Sequence, residues 1–139
     1  MYKVFIAHTA QDAPLALRIR QRIEEVGAEA WLDSPEPDFG AGFLETVHGP
    51  LGKSDEVLVI ASKKSVQNFW MSGEVGAAIA LGKKIIPVME SIELSDLPVA
   101  LRSVEGVDAG NLDRYLAQLI SRIKAHKGKQ AEEKAPREV

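Results

Sequence analysis

The chain has 139 residues, 45% of them apolar and 27% charged, which is typical of one globular domain with a substantial core. The net charge of -3 gives no reason to expect broad binding to nucleic acid or to an anionic membrane. The sequence contains no cysteine, which excludes disulfides, thiolate metal sites and cysteine nucleophiles.

The apolar runs of the chain are short. The longest of them, VLVIA and IIPVM, have the length of strands and are too short to cross a bilayer. The first strand-like segment begins almost directly after Met1, which leaves no room for a signal peptide. We therefore expect a cytoplasmic protein.

The first predicted elements are a strand, a helix and a second strand. Residues 2–7 (YKVFIA) predict the first strand. Apolar residues then recur at helical spacing over residues 16–26, with Asp12 as the predicted N-cap and Gly27 as the stop. Residues 29–32 (EAWL) predict a short second strand.

The middle of the chain combines a long loop, a weak helix and a buried strand. Residues 33–42 (DSPEPDFGAG) are rich in Pro, Gly and Asp and predict the loop. Residues 43–51 have a helical period, but the pair Gly49-Pro50 is expected to break or distort that helix. Residues 55–62 (DEVLVIAS) form a continuous apolar run, which is typical of a parallel strand covered on both faces.

The second half of the chain repeats this alternation. Residues 68–82 predict a helix, and residues 84–89 (KIIPVM) predict a buried strand whose hydrogen-bond ladder is expected to end at Pro87. Residues 104–109 predict a short fifth strand. Leucines and an isoleucine at helical spacing over residues 112–123 predict a last amphipathic helix.

Strands that alternate with helices imply an α/β fold with right-handed crossovers. We expect a flavodoxin-like three-layer fold, with a five-stranded, mostly parallel sheet in the order 2-1-3-4-5 and helices on both faces. Residues 126–139 have many charges and no apolar period. We therefore expect a domain over residues 1–125 and a charged, disordered tail or linker over residues 126–139.

In this topology, ligands bind between the first and third strands, at their carboxyl ends. The loops over residues 7–12, 33–42 and 62–70 are expected to meet there. Glu74 follows Trp70 by one helical turn, so the two share a face of the helix that begins at this crevice. A glutamate on a helix is usually solvated, whereas an aromatic neighbour and the small residues that follow favour a binding site.

Other kinds of site are disfavoured by the sequence. None of the three histidines lies at metal-ligand spacing from another, so no metal site is expected. His8 follows the first strand and is either an exposed loop residue or a binding residue. Ser62 lacks a histidine and a carboxylate at suitable positions and is interpreted as structural. A phosphate-receiver domain needs acidic residues after the first and third strands, where AHT and AS occur instead.

Taken together, the ordered motifs resemble a TIR (Toll/interleukin-1 receptor) domain over roughly residues 2–125, most like the bacterial, NAD⁺-cleaving type. The segments that carry the resemblance are VFIAHTAQD, AWLD followed by FGAGF, KSDEVLVIAS, and NFWMSGEVGAAIALGKKIIPVM. The chain departs from the common family pattern at several positions. Ala7 and His8 replace Ser and Tyr, Phe39 stands where Pro is common, and Met71 replaces a frequent Cys.

The resemblance implies cleavage of the nicotinamide–ribose bond of NAD⁺, which gives nicotinamide and ADP-ribose or a cyclic ADP-ribose product. It implies that Glu74 is the catalytic residue, that NAD⁺ is the substrate, and that no cofactor is needed. The substrate-binding residues implied by the resemblance are Ala7, His8, Thr9, Asp33, Phe39, Gly40, Phe43 and Trp70.

The resemblance also implies association, either as a homo-oligomer or with other TIR domains, through the BB loop (residues 33–43). Activation by self-assembly, in bacterial immunity or as an effector, would follow from this. One carboxylate suffices for the chemistry, because nicotinamide leaves as a neutral molecule and needs no acid. Glu74 would stabilise the oxocarbenium-like ribose.

Two alternatives remain open. The first is a non-enzymatic interaction module that signals by TIR–TIR association through the BB loop and shows no turnover in any assembly state. The second is a nucleoside-processing enzyme related to the deoxyribosyltransferases, which have a similar topology and use a glutamate nucleophile. Preference for free nucleosides over NAD⁺ would distinguish it.

Overall fold

The computed structural model describes residues 1–32, 45 and 47–134, and of Val47, Phe69, Trp70 and Lys134 it describes only the backbone. Strands and helices alternate in that part of the chain, as the sequence predicts. Their bounds are β1 (Lys3–Ala7), α1 (Ala13–Glu25), β2 (Glu29–Leu32), β3 (Glu56–Ala61), α2 (Phe69–Ala80), β4 (Lys84–Met89), β5 (Val107–Asp108) and α3 (Asp113–Lys134).

The strands form one parallel sheet in the order β2-β1-β3-β4-β5, which confirms the predicted topology. β1 lies between β2 and β3, so that Phe5 pairs with both Trp31 and Val57. The sequence order of the sheet reverses at β1 and β3. This is the position at which open α/β sheets leave a crevice beyond the carboxyl ends of their strands.

Both faces of the sheet are covered by helices, as the apolar run of β3 predicts. Every residue of β3 is buried. Alternate side chains point to opposite faces. One set packs with α1 and α3 and comprises Tyr2, Val4, Ile6, Leu58, Ile60, Ile86 and Val88. The other set packs with α2 and comprises Phe5, Ala7, Val57, Val59, Ala61 and Ile85.

The boundaries of α1 follow from local chemistry at its two ends. Its first turn contains Pro14, where the missing backbone N–H has no helical partner to lose. The chain then leaves the helix through Gly27, whose φ of 101° is accessible to glycine at little cost. Asp12 immediately precedes the helix, but its side chain makes no capping hydrogen bond. The predicted capping role of Asp12 is therefore wrong.

The predicted break in the weak helix is confirmed. A short helical turn over Val47–Leu51 is kinked at Gly49, whose φ of -92° and ψ of -115° are not helical. Pro50 follows directly, and its ring prevents a regular helical ladder. Leu51 ends the turn fully buried under α2.

The prediction that Pro87 ends the ladder of β4 is wrong. β4 pairs with β3 up to Met89, and the Glu90 backbone N–H donates to the Ala61 carbonyl at 2.9 Å. β5 pairs with β4 only from Val88 onward. Consecutive residues of a strand direct their backbone groups to alternate neighbours. The missing N–H of Pro87 therefore falls on the β5 side, before pairing with β5 begins.

Helix α3 extends to Lys134, so the expectation of an irregular tail is wrong for residues 126–134. The last buried apolar residue of the helix is Ile123. Beyond it, Lys, Gln, Ala and Glu are good helix formers, and they extend a helix that is already nucleated. The His126 ring also packs edge-on against Tyr2, with ring centroids 5.5 Å apart. The division into a domain and a tail at residue 125 stays a prediction.

Within residues 1–32 and 47–134, no helix combines the length and the apolar character needed to cross a membrane. The predicted loop over residues 33–42 lies outside the described residues.

Candidate functional site

The carboxyl end of β1 is buried at the centre of the sheet edge. Ala7 is the last residue of β1 and pairs with Val59 of β3. His8 and Thr9 follow it and are also buried, with 3% and 8% of their surface exposed. Of the two interpretations of His8, the exposed loop residue is therefore wrong. All three residues lie at the edge where the topology predicts a ligand crevice.

Helix α2, which carries Glu74, starts beside the same edge. The helix begins just past the carboxyl end of β3, where the Asn68 side chain caps it by accepting a hydrogen bond from the Met71 backbone N–H at 3.0 Å. Glu74 lies in its second turn and is 0% exposed. The interpretation of Glu74 as a solvated helix carboxylate is therefore wrong.

Neighbouring residues of α2 show which face of the sheet this helix covers. Met71, Val75 and Ala78 pack in one cluster with Ala7 and with Ala61, the residues that end β1 and β3. The buried carboxylate and the strand ends thus lie on the same face of the sheet. Burying a carboxylate costs free energy, so such groups are frequent at functional sites.

The remaining predicted site residues fall in two groups. Trp70 lies in the first turn of α2, one turn before Glu74, as the spacing predicts. Four predicted substrate-binding residues lie outside the described part of the chain, namely Asp33, Phe39, Gly40 and Phe43. Their placement, and that of the BB loop, stays a prediction.

A polar cluster that the sequence interpretation missed lies at the same edge. The Asp12 Oδ2 atom accepts hydrogen bonds from Thr9 Oγ1 at 3.1 Å and from Ser62 Oγ at 2.6 Å. The Ser62 hydroxyl also accepts from the Ser65 backbone N–H at 3.2 Å, and Ser65 Oγ accepts from the Ser62 backbone N–H at 2.7 Å. The only local signals were the pairs of polar residues three positions apart, Thr9 with Asp12 and Ser62 with Ser65.

An apolar cavity of about 170 Å³ lies beside α2, but Glu74 does not line it. The lining side chains of α2 include Met71, Val75 and Ile79, and the cavity reaches Leu101 across from them. Gly76 lines this cavity, while Ala78 packs in the core. Two of the small residues after Glu74 thus contribute to this cavity and to the core, and their relation to a binding site stays a prediction.

A second buried carboxylate lies at the opposite, amino edge of the sheet. Glu56 begins β3, level with Val4 of β1 and Lys84 of β4, and is 0% exposed. Tyr2 and Tyr115 donate their hydroxyl hydrogens to it, the latter at 2.7 Å.

Arg122 completes this second cluster. Its Nε and Nη2 atoms donate to the two oxygens of Glu56 at 2.7 and 3.0 Å, and its guanidinium lies 5.7 Å from the centroid of the Tyr115 ring. Burial, reinforced by the adjacent Glu56 carboxylate, raises the pKa of the Tyr2 and Tyr115 phenols above their usual range. Burial alone would lower the Arg122 pKa, but the Glu56 carboxylate outweighs it and the pKa is raised. The cluster is a satisfied ion pair, and a signal for it was Glu56, an acidic residue within an otherwise apolar strand.

No group of three His, Asp or Glu side chains in the described part of the chain is arranged to hold a metal ion.

Solved structures share this fold. The TIR domain of the Toll-related receptor TRR-2 from Hydra magnipapillata matches with a TM-score of 0.64 and 19% identity, over 91% of this chain and 98% of that one. The TIR domains of the activated Roq1 resistosome, which directly recognises the pathogen effector XopQ, match with a TM-score of 0.63 and 14% identity, over 91% of this chain and 99% of theirs. At these identities the likeness shows the fold alone.

The comparison with curated proteins found no match. The family model described as the TIR domain matches residues 4–123, a span from the second residue of β1 to the last buried turn of α3. The parallel sheet, its strand order and this match over most of the chain agree, and the protein belongs to the TIR domain family.

Proposed function

We propose that this TIR domain cleaves the nicotinamide–ribose bond of NAD⁺ and that Glu74 is the catalytic carboxylate. The observation that carries the proposal is the position of Glu74. It is fully buried on α2, a helix that begins past the carboxyl end of β3 and packs on the face of the sheet that includes Ala7 and Ala61. An acidic group at the switch point of a parallel sheet is well placed to meet a bound ligand.

The reaction needs what a single carboxylate supplies. Nicotinamide leaves from a positively charged pyridinium and becomes neutral, so no general acid has to protonate it. The ribose that remains has oxocarbenium character. An anionic Glu74 in a buried setting stabilises that positive charge more strongly than it would in water. Attack by water gives ADP-ribose, and attack by an adenine nitrogen gives a cyclic product.

The other predicted binding residues form the walls of the proposed crevice. Ala7, His8 and Thr9 supply the wall at the end of β1, where all three are buried. Trp70 supplies an apolar wall one turn before Glu74. Asp33, Phe39, Gly40 and Phe43 belong to the proposal as residues of a covering loop, which would exclude water from the reacting ribose.

Assembly is part of the same proposal. TIR domains of the same fold occur in the activated Roq1 resistosome, which is itself an assembly. We expect this domain to associate with copies of itself or with other TIR domains through the BB loop, in a cytoplasmic response of the immunity or effector type. Its specific activity should then rise with protein concentration.

The test is to incubate the full chain with NAD⁺ at low and high protein concentration and to measure released nicotinamide by chromatography. Glu74→Gln should lower release by roughly 100- to 1,000-fold, whereas Glu25→Gln, on an exposed position of α1, should leave it unchanged. Release that survives Glu74→Gln would contradict the catalytic role. Faster cleavage of free nucleosides than of NAD⁺ would favour the deoxyribosyltransferase alternative.

A second candidate function is a non-enzymatic interaction module. The match to the TIR family model over residues 4–123 is compatible with it, because that match identifies the family and not an activity. It predicts no nicotinamide release from any assembly, and loss of association when Gly40 or Phe39 is replaced. Sedimentation of the wild-type chain and the Gly40→Asp variant, in parallel with the cleavage assay, separates the two functions.

A further inference from the structure

The backbone pairing of β1 and β3 stops before the residues that flank the proposed crevice. Ala7 and Val59 are the last pair between the two strands. Beyond this pair, the segment after β1 leads towards α1, and the segment after β3 leads towards α2. His8 and Thr9 lie on the first of these segments, and the second leads through Ser62 and Ser65 to the helix that carries Glu74.

One carboxylate joins the two segments across this gap. Asp12 Oδ2 accepts from Thr9 Oγ1 on its own segment and from Ser62 Oγ on the other, at 3.1 and 2.6 Å. Ser62 is buried, and charge-assisted hydrogen bonds of this kind are about twice as strong as neutral ones. The Asp12 backbone N–H also donates to the Thr9 carbonyl at 3.0 Å, which fixes the carboxylate relative to its own loop.

The connection continues from Ser62 towards α2. The Ser62 hydroxyl donates to Asp12 and accepts from the Ser65 backbone N–H, so its hydrogen-bonding capacity is used in both directions. Ser65 opens the helical turn Ser65–Gln67, and Asn68 then caps α2. A displacement of Asp12 would therefore be transmitted both to the wall at the end of β1 and to the start of α2.

We propose that Asp12 is a positioning residue, which through Ser62 holds the His8–Thr9 wall in register with the helix that carries Glu74. The inference rests on the proposed function, because the relative position of the His8–Thr9 wall and α2 matters only if the chain cleaves NAD⁺ there. Catalysis is sensitive to misplacement of about 1 Å, which can lower turnover by roughly 100-fold. The Asp12–Ser62 contact thus acts on kcat through geometry, without touching the substrate.

The chain supplies matched controls at the other edge of the sheet. Asp55 Oδ2 accepts from the Lys3 backbone N–H at 2.7 Å, which also ties β1 to the β3 segment. Ser54 is a buried serine whose hydroxyl donates to the Leu51 carbonyl at 2.6 Å. Asp55→Asn and Ser54→Ala therefore remove comparable hydrogen bonds far from the proposed crevice.

The first experiment measures amide hydrogen exchange in the full chain and needs no activity. Ser62→Ala should speed exchange roughly tenfold at residues 9–12, on the other segment, because a hydrogen bond to a charged group is lost there. Ser54→Ala should leave those amides unchanged. Unchanged exchange at residues 9–12 in Ser62→Ala would overturn the proposal.

The second experiment measures the kinetics of nicotinamide release. Asp12→Asn and Ser62→Ala should each lower kcat roughly tenfold or more with little change in KM, and the double variant should lose no more than the worse single variant. Ser62→Thr, which keeps the hydroxyl, should restore kcat, while Asp55→Asn and Ser54→Ala should match the wild type. Equal losses in the control variants would overturn the positioning role. A wild-type chain that releases no nicotinamide would overturn the proposed function. The exchange measurement would still show whether the Asp12–Ser62 contact joins the two segments.

Discussion

Two glutamates in the described part of the chain are completely buried, one at the start of β3 and the other in α2. Glu56, at the amino edge, receives hydrogen bonds from two tyrosines and a two-pronged contact from Arg122. Glu74 lies in the second turn of α2, the helix that begins past the carboxyl end of β3. Both carry the desolvation cost of a buried carboxylate, but only the edge of Glu74 is the one at which parallel sheets bind ligands.

The comparison teaches that burial of an acidic group does not by itself identify a functional site. Glu56 connects β3 to Tyr2, the residue just before β1, and to α3 through Tyr115 and Arg122. This arrangement fits a structural role. Position relative to the strand ends separates the two carboxylates. The contrast is testable, because the same conservative substitution should have opposite consequences at the two edges.

The largest expected effect is a contrast between two variants: Glu74→Gln should lose activity, and Glu56→Gln should lose stability. Glu74→Gln should lower nicotinamide release by roughly 100- to 1,000-fold, because the charge that stabilises the oxocarbenium is lost. The amide has the same shape as the carboxylate, and release should be expressed per folded molecule, with the folded fraction taken from urea unfolding. Glu56→Gln should keep kcat per folded molecule and lose about 3 kcal/mol of stability, since Arg122 loses its charged partner. Urea unfolding and chromatography measure both, and loss of kcat in folded Glu56→Gln would break the contrast.

Arg122→Met should have the next largest effect. It leaves the Glu56 charge without its cation, and the side chain of Arg122 is 22% exposed, so water can partly replace it. We expect a loss of about 2 kcal/mol, below the roughly 3–5 kcal/mol typical of a broken, fully buried pair. Urea unfolding measures the loss. Arg114→Met is the matched control, because Arg114 pairs with Glu105 on the surface and should contribute at most about 1 kcal/mol. Equal losses in the two variants would contradict a special role for the buried pair.

Tyr115→Phe should have a smaller effect. The variant removes one hydroxyl that donates to Glu56 at 2.7 Å, while the ring can stay beneath the Arg122 guanidinium. A hydrogen bond to a charged group contributes about 1.5 kcal/mol or more. Thermal or urea unfolding of the variant against the wild type gives the difference. A loss below about 0.5 kcal/mol would show that solvent or Tyr2 replaces the missing donor.

The smallest expected effect is on the pH dependence of stability. The pKa of Tyr115 is raised on folding, so the folded state keeps the phenolic proton while the unfolded chain releases it near pH 10.0. Stability from this group is therefore fully present below pH 10 and falls as the pH rises above it, by up to about 1.4 kcal/mol per pH unit. Urea unfolding at pH 8 and pH 11 measures this, and the drop should be about 1 kcal/mol smaller in Tyr115→Phe. An equal drop in both proteins would contradict the assignment.

Much of the fold was predictable because strands and helices are encoded locally. Residues 29–32 and 84–89 were predicted as strands with the bounds that β2 and β4 have in the structure. The positions of Gly27 and Gly82, both with positive φ, mark the ends of α1 and α2. The period of the apolar residues and the positions of glycines are properties of short windows of sequence, so they can be recognised without knowledge of the rest of the chain.

The errors arose where a distant partner decides the outcome. Asp12 had the sequence position of a helix cap, but Ser62, fifty residues later, takes its carboxylate instead. Pro87 was predicted to end the hydrogen-bond ladder of β4. Its missing N–H is on the β5 side, and β5 pairs with β4 only from Val88 onward, so no hydrogen bond is lost there. In both cases the local preference was real and a tertiary contact overrode it.

By itself, the sequence determined the order of the elements, the parallel sheet, and the placement of Glu74 one turn after Trp70 on a helix that starts at the crevice. Only the tertiary structure decided that Glu74 and His8 are buried, and that Glu56 joins Tyr2, Tyr115 and Arg122. The physical reason is the range of the interactions. Backbone periodicity acts over one or two turns, whereas the burial of a charge depends on which distant groups the strand register brings to it.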